Sequence, residues 1–244
     1  MAEISNPAAG KLYLVPTPIG NLEDITLRAI RVLKEANLVL CEDTRRAAIL
    51  FQKYNILTPK DSYHEHNKFG KTPGLLERIK QGQVIAQISE AGTPGISDPG
   101  FYLAREAIAA GIPVEVLPGA CAAIVALVGS GLPTDRFIFE GFLPAKKGRK
   151  SRLDFLKDDP RTLIFFEAPH RIQRTVNDLL MAFGDRRAAY GRELTKIHEE
   201  FRRGTLSELA ADFDNREPRG EYTLVVEGNT RRWKSSVSEQ EGED

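Results

Sequence analysis

Cysteine is scarce in this chain, with two residues, Cys41 and Cys121, among 244. Two cysteines give no disulfide framework, which excludes the small cross-linked secreted scaffolds and fits a reducing cytoplasm. Long apolar runs are missing as well. The longest, around 120–128, is too short to cross a bilayer. No basic segment followed by an apolar one opens the sequence, so neither a membrane anchor nor a secretory signal is expected. Histidine is limited to four residues, with no H-E-x-x-H and no cysteine pair at ligand spacing. His64-Glu65-His66 therefore reads as a surface or core-edge pair, and no metal is expected. Charge of either sign is not in excess: 34 basic residues face 34 acidic ones, a formal net charge of zero. That argues against a protein held to nucleic acid by a general positive field, so any RNA contact has to come from a local patch.

Three common site signatures also fail. Gly70-Lys71-Thr72 resembles the end of a phosphate-binding P-loop, but the glycine required five residues earlier is Glu65, whose charge would repel phosphates. No G-x-G-x-x-G occurs, which removes the usual dinucleotide fingerprint. Ser89, Ser97 and Ser130 lack the G-x-S-x-G surroundings of a serine hydrolase.

What is present is a regular alternation. Short runs rich in Val, Ile, Leu and Phe at 12–15, 38–41, 84–88, 114–117, 137–139, 162–166, 187–190 and 222–226 read as strands covered on both faces. Helical patterns fill 24–36, 72–81, 100–110, 120–128, 171–183 and 206–213. In the first, Leu27, Ile30, Leu33 and Ala36 recur at near-helical spacing, opposite Arg28, Arg31 and Lys34. Such alternation predicts an α/β protein with mainly parallel or mixed sheets. Breakers at Pro118-Gly119 and 129–134 place a domain join near 118, giving an N-terminal α/β domain at 11–117 and a C-terminal one at 118–230. Residues 1–10 and the acidic tail at 231–244 read as flexible ends. One local patch answers the missing field: Lys146, Lys147, Arg149, Lys150 and Arg152 follow the breaker Gly141-Phe142-Leu143-Pro144. Taken alone, it reads as a solvated loop leading into a helix.

Five Gly- and Pro-rich segments sit just after candidate strands: VPTPIGN at 15–21, SEAGTPGISDPG at 89–100, PGACAA at 118–123, FEAPHR at 166–171 and RELTK at 192–196. In open α/β sheets, ligands bind beyond the carboxyl ends of the strands. Glycine lets backbone approach a ligand, and proline stiffens the turn presenting it. Five such loops at one end of successive strands point to a ligand site.

In order along the chain, LVPTPIGNLEDIT at 14–26, CEDTR at 41–45, the 89–100 loop, PGACAA, EGFLP at 140–144, FFEAPHR at 165–171, RELTK and GEYTLVVEG at 220–228 resemble the ribosomal RNA small subunit methyltransferase I family of the tetrapyrrole methylase-like superfamily. The resemblance covers about residues 11–230. It implies two α/β domains with S-adenosylmethionine in the cleft between them, and a homodimer. The implied reaction is 2′-O-methylation of a decoding-centre cytidine, cytidine 1402, of 16S ribosomal RNA. Carried over by motif, the cofactor is expected at Pro16; at Glu90, Gly92, Thr93 and Ile96; at Cys121 and Ala122; and at Phe166, Glu167, Leu194, Tyr222 and Thr223. Glu90 departs from the aspartate more usual in the family, which shifts the carboxylate by about 1.5 Å.

Methyl transfer from a sulfonium needs an in-line nucleophile and no acid at the leaving group, so positioning dominates. A ribose hydroxyl is a weak acid, and a proton acceptor would add roughly 10²–10⁴-fold. Glu42, Asp43, Asp98, Glu167, His170, Glu193 and Lys196 are the candidates, and the sequence singles out none. Glu167, His170, Arg192 and Lys196 are expected to orient the ribose and its phosphate. With an RNA substrate, Lys146, Lys147, Arg149, Lys150 and Arg152 become expected phosphate contacts. The low overall charge suggests an assembled small ribosomal subunit rather than free RNA. A methylase of a siroheme or corrin precursor, and a non-catalytic ribosome-assembly factor, are the rival readings.

Overall fold

The computed structural model describes residues 10–97, 100–214 and 216–229. Asp98 and the tail at 231–244 lie outside them, as does all of the N-terminal segment except Gly10. The chain parts into two compact units between Cys121 and Ala122.

The first unit runs β1 (Lys11–Val15), α1 (Leu27–Glu35), β2 (Leu38–Cys41), α2 (Thr44–Tyr54), β3 (Lys60–Ser62), α3 (Lys68–Lys80), β4 (Val84–Ile88), α4 (Gly100–Ala109) and β5 (Val114–Val116). Its sheet has the order β3-β2-β4-β1-β5, and every pairing is parallel. Period-two alternation sends Val15, Val39, Cys41, Ala86 and Ile88 to one face, against Ala29, Val32 and Leu33 of α1 and Leu50 and Phe51 of α2. Leu12, Leu14, Leu38, Leu40 and Ile85 go to the other, against Leu75 and Ile79 of α3 and Leu103 and Ala107 of α4. Coverage on both faces is why β2 is apolar at every position. Local signals set the helix ends. Thr26 accepts from the Ala29 amide at 3.0 Å, Asp43 from the Arg45 amide at 2.8 Å, and Asn55 closes α2 with φ at 50°.

The second unit runs α5 (Ala122–Ser130), β6 (Phe137–Phe142), α6 (Arg149–Leu156), β7 (Thr162–Glu167), α7 (Pro169–Phe183), β8 (Arg187–Arg192), β9 (Glu200–Thr205), α8 (Leu206–Asp214) and β10 (Tyr222–Val226). Its sheet order is β6-β7-β10-β8-β9. Here the mixed form of the expected sheet is found. Only β6 and β7 pair in parallel; the β7–β10, β10–β8 and β8–β9 pairings are antiparallel. Short connections explain part of this, since β8 turns directly into β9 without a crossover helix, as only antiparallel neighbours can. One face packs Leu163, Phe165, Tyr190, Leu224 and Val226 against Ile172, Val176 and Leu179 of α7 and Leu206 and Leu209 of α8. The other carries α5, which lies over β10, β8 and β7.

Candidate active site

In the first unit, the loops after β1, β4 and β5 are stitched together at the carboxyl end of the sheet. Thr17 and Gly92 exchange two backbone hydrogen bonds, of 2.9 and 3.0 Å. The Thr17 hydroxyl donates to the Ser89 carbonyl at 3.1 Å, and the Ser89 hydroxyl donates to the Gly92 carbonyl at 2.9 Å. The Thr93 hydroxyl reaches the Ala120 carbonyl at 3.2 Å. Glycine is required at two of these points. Gly92 sits at φ 81°, and a Cβ on Gly119 would stand 2.4 Å from the Pro16 Cβ, a separation no pair of carbons tolerates. Gly95 and Ser97 are also left-handed, at 91° and 62°. A left-handed serine marks stored strain of the kind found at ligand sites. Pro16, Gly92 and Thr93 are thus brought together as the motifs implied. Ile96 and Glu90 stand on the exposed rim of this loop, and Glu90 is ion-paired with Arg46.

In the second unit, strand direction gathers the expected residues. Because β10 runs antiparallel to β7 and β8, its first residues lie beside their ends: Tyr222 pairs with Glu167 and Arg192, and Thr223 with Phe166 and Gly191. Leu194 closes over Gly191, where a Cβ would meet its Cδ2 at 2.7 Å. The loop after β8 is strained, with Glu193 at φ 49° and Thr195 at 65°; the left-handed region is unusual for a β-branched residue. Lys196 bridges Glu193 at 2.8 Å and Glu221 at 2.9 Å. Burial works against its charge, but the hydrogen bonds it donates to Glu193 and Glu221 outweigh it and raise its pKa. Lys196 is therefore a cation near neutral pH and not a proton acceptor. Arg192 pairs with Glu200 at 3.1 Å, and His170 is exposed at the start of α7.

Two expected roles change. Glu167 has a side-chain exposure of 0%. Its carboxylate accepts from the Thr175 hydroxyl at 2.6 Å and the Ala168 amide at 3.0 Å, and pairs with Arg171 at 3.2 Å. With no exposed oxygen it anchors the start of α7 instead of orienting a ribose. Arg149, expected among the phosphate contacts, is 5% exposed. It donates to Thr175 at 2.8 Å, to Asp178 at 2.7 Å and to the Pro144 carbonyl at 3.2 Å. Arg171 in turn donates to the Leu143 carbonyl. One buried network therefore fixes both α7 and the segment after β6. Arg152 is held by Glu140 at 2.8 Å through two guanidinium nitrogens. That leaves Lys146, Lys147 and Lys150 exposed. Thr17, Ser89, Arg171 and Thr175 were not anticipated in these structural roles; Thr17, Ser89 and Arg171 lie inside recognised motifs, whereas Thr175 carries no local signal.

Other reactive groups are occupied. Asp43 caps α2, and its hydrogen bond from Arg45 lowers its carboxyl to about 2. Burial pushes the Cys41 thiol up to about 11. Among the described residues, no cluster of His, Cys, Asp or Glu is able to hold a metal, and no helix is long and apolar enough to cross a membrane.

A family model described as Tetrapyrrole (Corrin/Porphyrin) Methylases matches residues 11–210. The ribosomal RNA small subunit methyltransferase I of Pseudomonas aeruginosa is 49% identical over 237 residues, 96% of this chain and 83% of that one. The protein of the same name from Thermotoga maritima is 46% identical over 219 residues, 90% of this chain and 99% of that one. The chain belongs to this methyltransferase family. Solved structures share its fold. Uroporphyrin-III C-methyl transferase from Thermus thermophilus, complexed with S-adenyl homocysteine, has a TM-score of 0.62 at 23% identity, covering 91% of this chain and 99% of that one. A diphthine synthase has a TM-score of 0.70 at 15% identity, covering 90% of each. These likenesses establish the architecture and meet the expectation of fold; the relatives and the family model meet the expectation of family.

Proposed function

We propose that this chain uses S-adenosylmethionine to methylate the ribose 2′-oxygen of a decoding-centre cytidine in 16S ribosomal RNA. The observation that carries the reading is the identity to proteins named ribosomal RNA small subunit methyltransferase I, which spans nearly the whole chain. The stitched loops are compatible with the cofactor: the Gly119 backbone closes on the Pro16 ring, and Gly92 takes a left-handed φ of 81° that glycine adopts without strain.

When bound, S-adenosylmethionine supplies an electrophilic methyl on a sulfonium whose thioether departs neutral. Pro16, Gly92, Thr93, Cys121 and Ala122, with Phe166, Leu194, Tyr222 and Thr223, are the residues that would hold it. Glu90 and Ile96 lie at the edge of that set. Lys196, tied to Glu193 and Glu221, and Arg192, tied to Glu200, are the cations of this group that would meet a ribose phosphate. His170, exposed at the N-terminus of α7, is the side chain of this group free to accept a hydroxyl proton. Rate then comes mostly from holding hydroxyl and methyl in line, which removes roughly 7–11 kcal/mol of barrier. Lys146, Lys147 and Lys150 contact phosphates and make binding salt-dependent. The zero net charge favours an assembled small subunit, met in the cytoplasm, with the chain acting as a homodimer.

The test is methyl transfer from labelled S-adenosylmethionine to small subunits lacking modification, with the product mapped by nuclease digestion and mass spectrometry. One methyl on the ribose of a single decoding-centre cytidine is expected. Transfer to naked 16S RNA as efficient as to subunits removes the assembled-subunit part of the reading. No transfer to either, alongside measurable cofactor binding, overturns the RNA substrate and turns attention to tetrapyrroles.

A further inference from the structure

Phe142 ends β6 and is 54% exposed, although Leu143 after it is 2% exposed and Gly141 before it is buried. An aromatic ring held outward between two buried residues is fixed by backbone geometry. That geometry is a β-bulge. The β6–β7 register shifts between Phe139 and Gly141, so that Phe139 pairs with Ile164 and Phe142 with Phe166. Gly141 takes φ 63° to allow it. Residues 139 and 142 would point to opposite faces of a regular strand. The extra residue brings both to one face, where each meets the Phe166 ring edge-on, at 4.9 and 5.8 Å between centroids. Bulges re-aim side chains in this way next to functional sites. The buried Arg149 and the partly exposed Arg171 then hold the Pro144 and Leu143 carbonyls, the next two along the chain.

Charge at this place is one-sided. Lys146, Lys147 and Lys150 follow in the same segment, exposed and without an ion pair to any other described residue. Of the two flanking acids, Glu140 is neutralised by Arg152 with its side chain 6% exposed, and Asp154 pairs with Lys157. Rigid exposed aromatic surface beside unpaired cations is the arrangement that binds single-stranded nucleic acid, the ring stacking a base and the cations taking phosphates.

We propose that Phe142 is a stacking platform for an unpaired nucleobase of the RNA substrate, with the flanking phosphates on Lys146, Lys147 and Lys150. The inference rests on the RNA reading above and deepens it. Phe166, itself met edge-on by Phe139, braces the platform edge-on and leaves its outer face to the base. Phe142 acts here as a substrate-binding residue and takes no part in the chemistry of transfer.

Three variants test it: Phe142→Ala, Phe142→Leu and Phe142→Trp, the last in a background with the native Trp233 replaced by Phe. The probe is a short single-stranded oligoribonucleotide of decoding-centre sequence, with affinity read by fluorescence anisotropy. Loss of a stacked base weakens binding about 5- to 100-fold. Alanine and leucine are both expected to show that loss, tryptophan to restore affinity, and the new indole to be quenched as the RNA binds. Cofactor affinity by calorimetry and melting temperature should stay near wild type in all three. Leucine binding as tightly as phenylalanine reduces the position to apolar packing and overturns the proposal. So does unchanged RNA affinity in the alanine variant, whether alone or with dissociation of a dimer in sedimentation, which makes the ring a self-association contact. Wild-type protein that neither binds nor methylates small subunits or ribosomal RNA brings down the RNA reading as well, and so separates the two failures.

Discussion

Replacing Glu167 with alanine distinguishes an anchoring carboxylate from a reacting one. The change removes the acceptor for the Thr175 hydroxyl, at 2.6 Å, and for the Ala168 amide, at 3.0 Å. It also leaves the Arg171 guanidinium, 3.2 Å from the carboxylate and with a side-chain exposure of 25%, without its counter-charge. Removing one partner of a buried pair costs about 3–5 kcal/mol, chiefly because the other charge stays desolvated. For a protein of this size each kcal/mol lowers the melting temperature by roughly 2–4 °C, so a fall of about 10 °C is expected by calorimetry. Glutamine retains the volume and an acceptor for the amide, and should cost about 1–3 kcal/mol. Because the same network holds the carbonyls of Leu143 and Pro144, both variants should raise KM for the ribosomal substrate more than they lower kcat. An alanine variant melting within about 2 °C of wild type, yet with kcat reduced a hundredfold or more, would falsify the anchoring role and return Glu167 to the reacting groups.

Other consequences are open to direct measurement. Gly119→Ala places a methyl 2.4 Å from Pro16 and should weaken S-adenosylmethionine at least about tenfold. Gly74→Ala, which meets nothing within 4 Å, should leave affinity unchanged; equal effects from the two would mean the stitched loops do not hold the cofactor. With its thiol at about 11 through burial, Cys41 should resist alkylation of the native protein at pH 8. The half-exposed Cys121 should label once and be protected by S-adenosylhomocysteine, and two labels, or none protected, count against this reading. Acid should release the loop after β8. Burial alone would raise Glu193 and Glu200, but hydrogen bonds from Lys196 to the first and from Arg216 and Arg202 to the second outweigh it, so both titrate below their ordinary value. Their stabilisation is complete above the unfolded carboxylate value of about 4.3 and drains as pH falls through the lower folded values. The melting temperature of the second unit should therefore decline below about pH 4, and a flat profile to pH 3 contradicts the assignment.

The parts of the fold legible in the sequence are those where one physical signal acts alone. Strands β2, β4 and β10 occupy 38–41, 84–88 and 222–226, the limits their apolar runs suggest, because both faces of each are covered and apolar side chains are needed throughout. Strands β3 and β9 were not legible. The first reads Lys-Asp-Ser and the second Glu-Phe-Arg-Arg-Gly-Thr, and each is an edge of its sheet, where one neighbour and solvent replace a core. Edge strands keep their pairing partner but lose the hydrophobic pattern. Helix α2 buries Ala47, Leu50 and Phe51 at helical spacing, but the adjacent Ile49 blurs the period, and 62% of that residue remains exposed.

The site divides along the same line. Glycines and prolines announce where backbone must come close to a neighbour, so the contacts at Pro16, Gly92 and Gly119 could be read from composition. Charged residues announce nothing about burial. Arg149 and Lys150 are neighbours in one basic run, yet 5% of the first is exposed while the second faces solvent. The difference lies in Thr175 and Asp178, on a helix whose docking no local pattern encodes. A guanidinium can satisfy several acceptors at once in a fixed plane, and an ammonium cannot. The one arginine of that run set at the start of α6 is therefore drawn inward, and the lysines are left for a ligand.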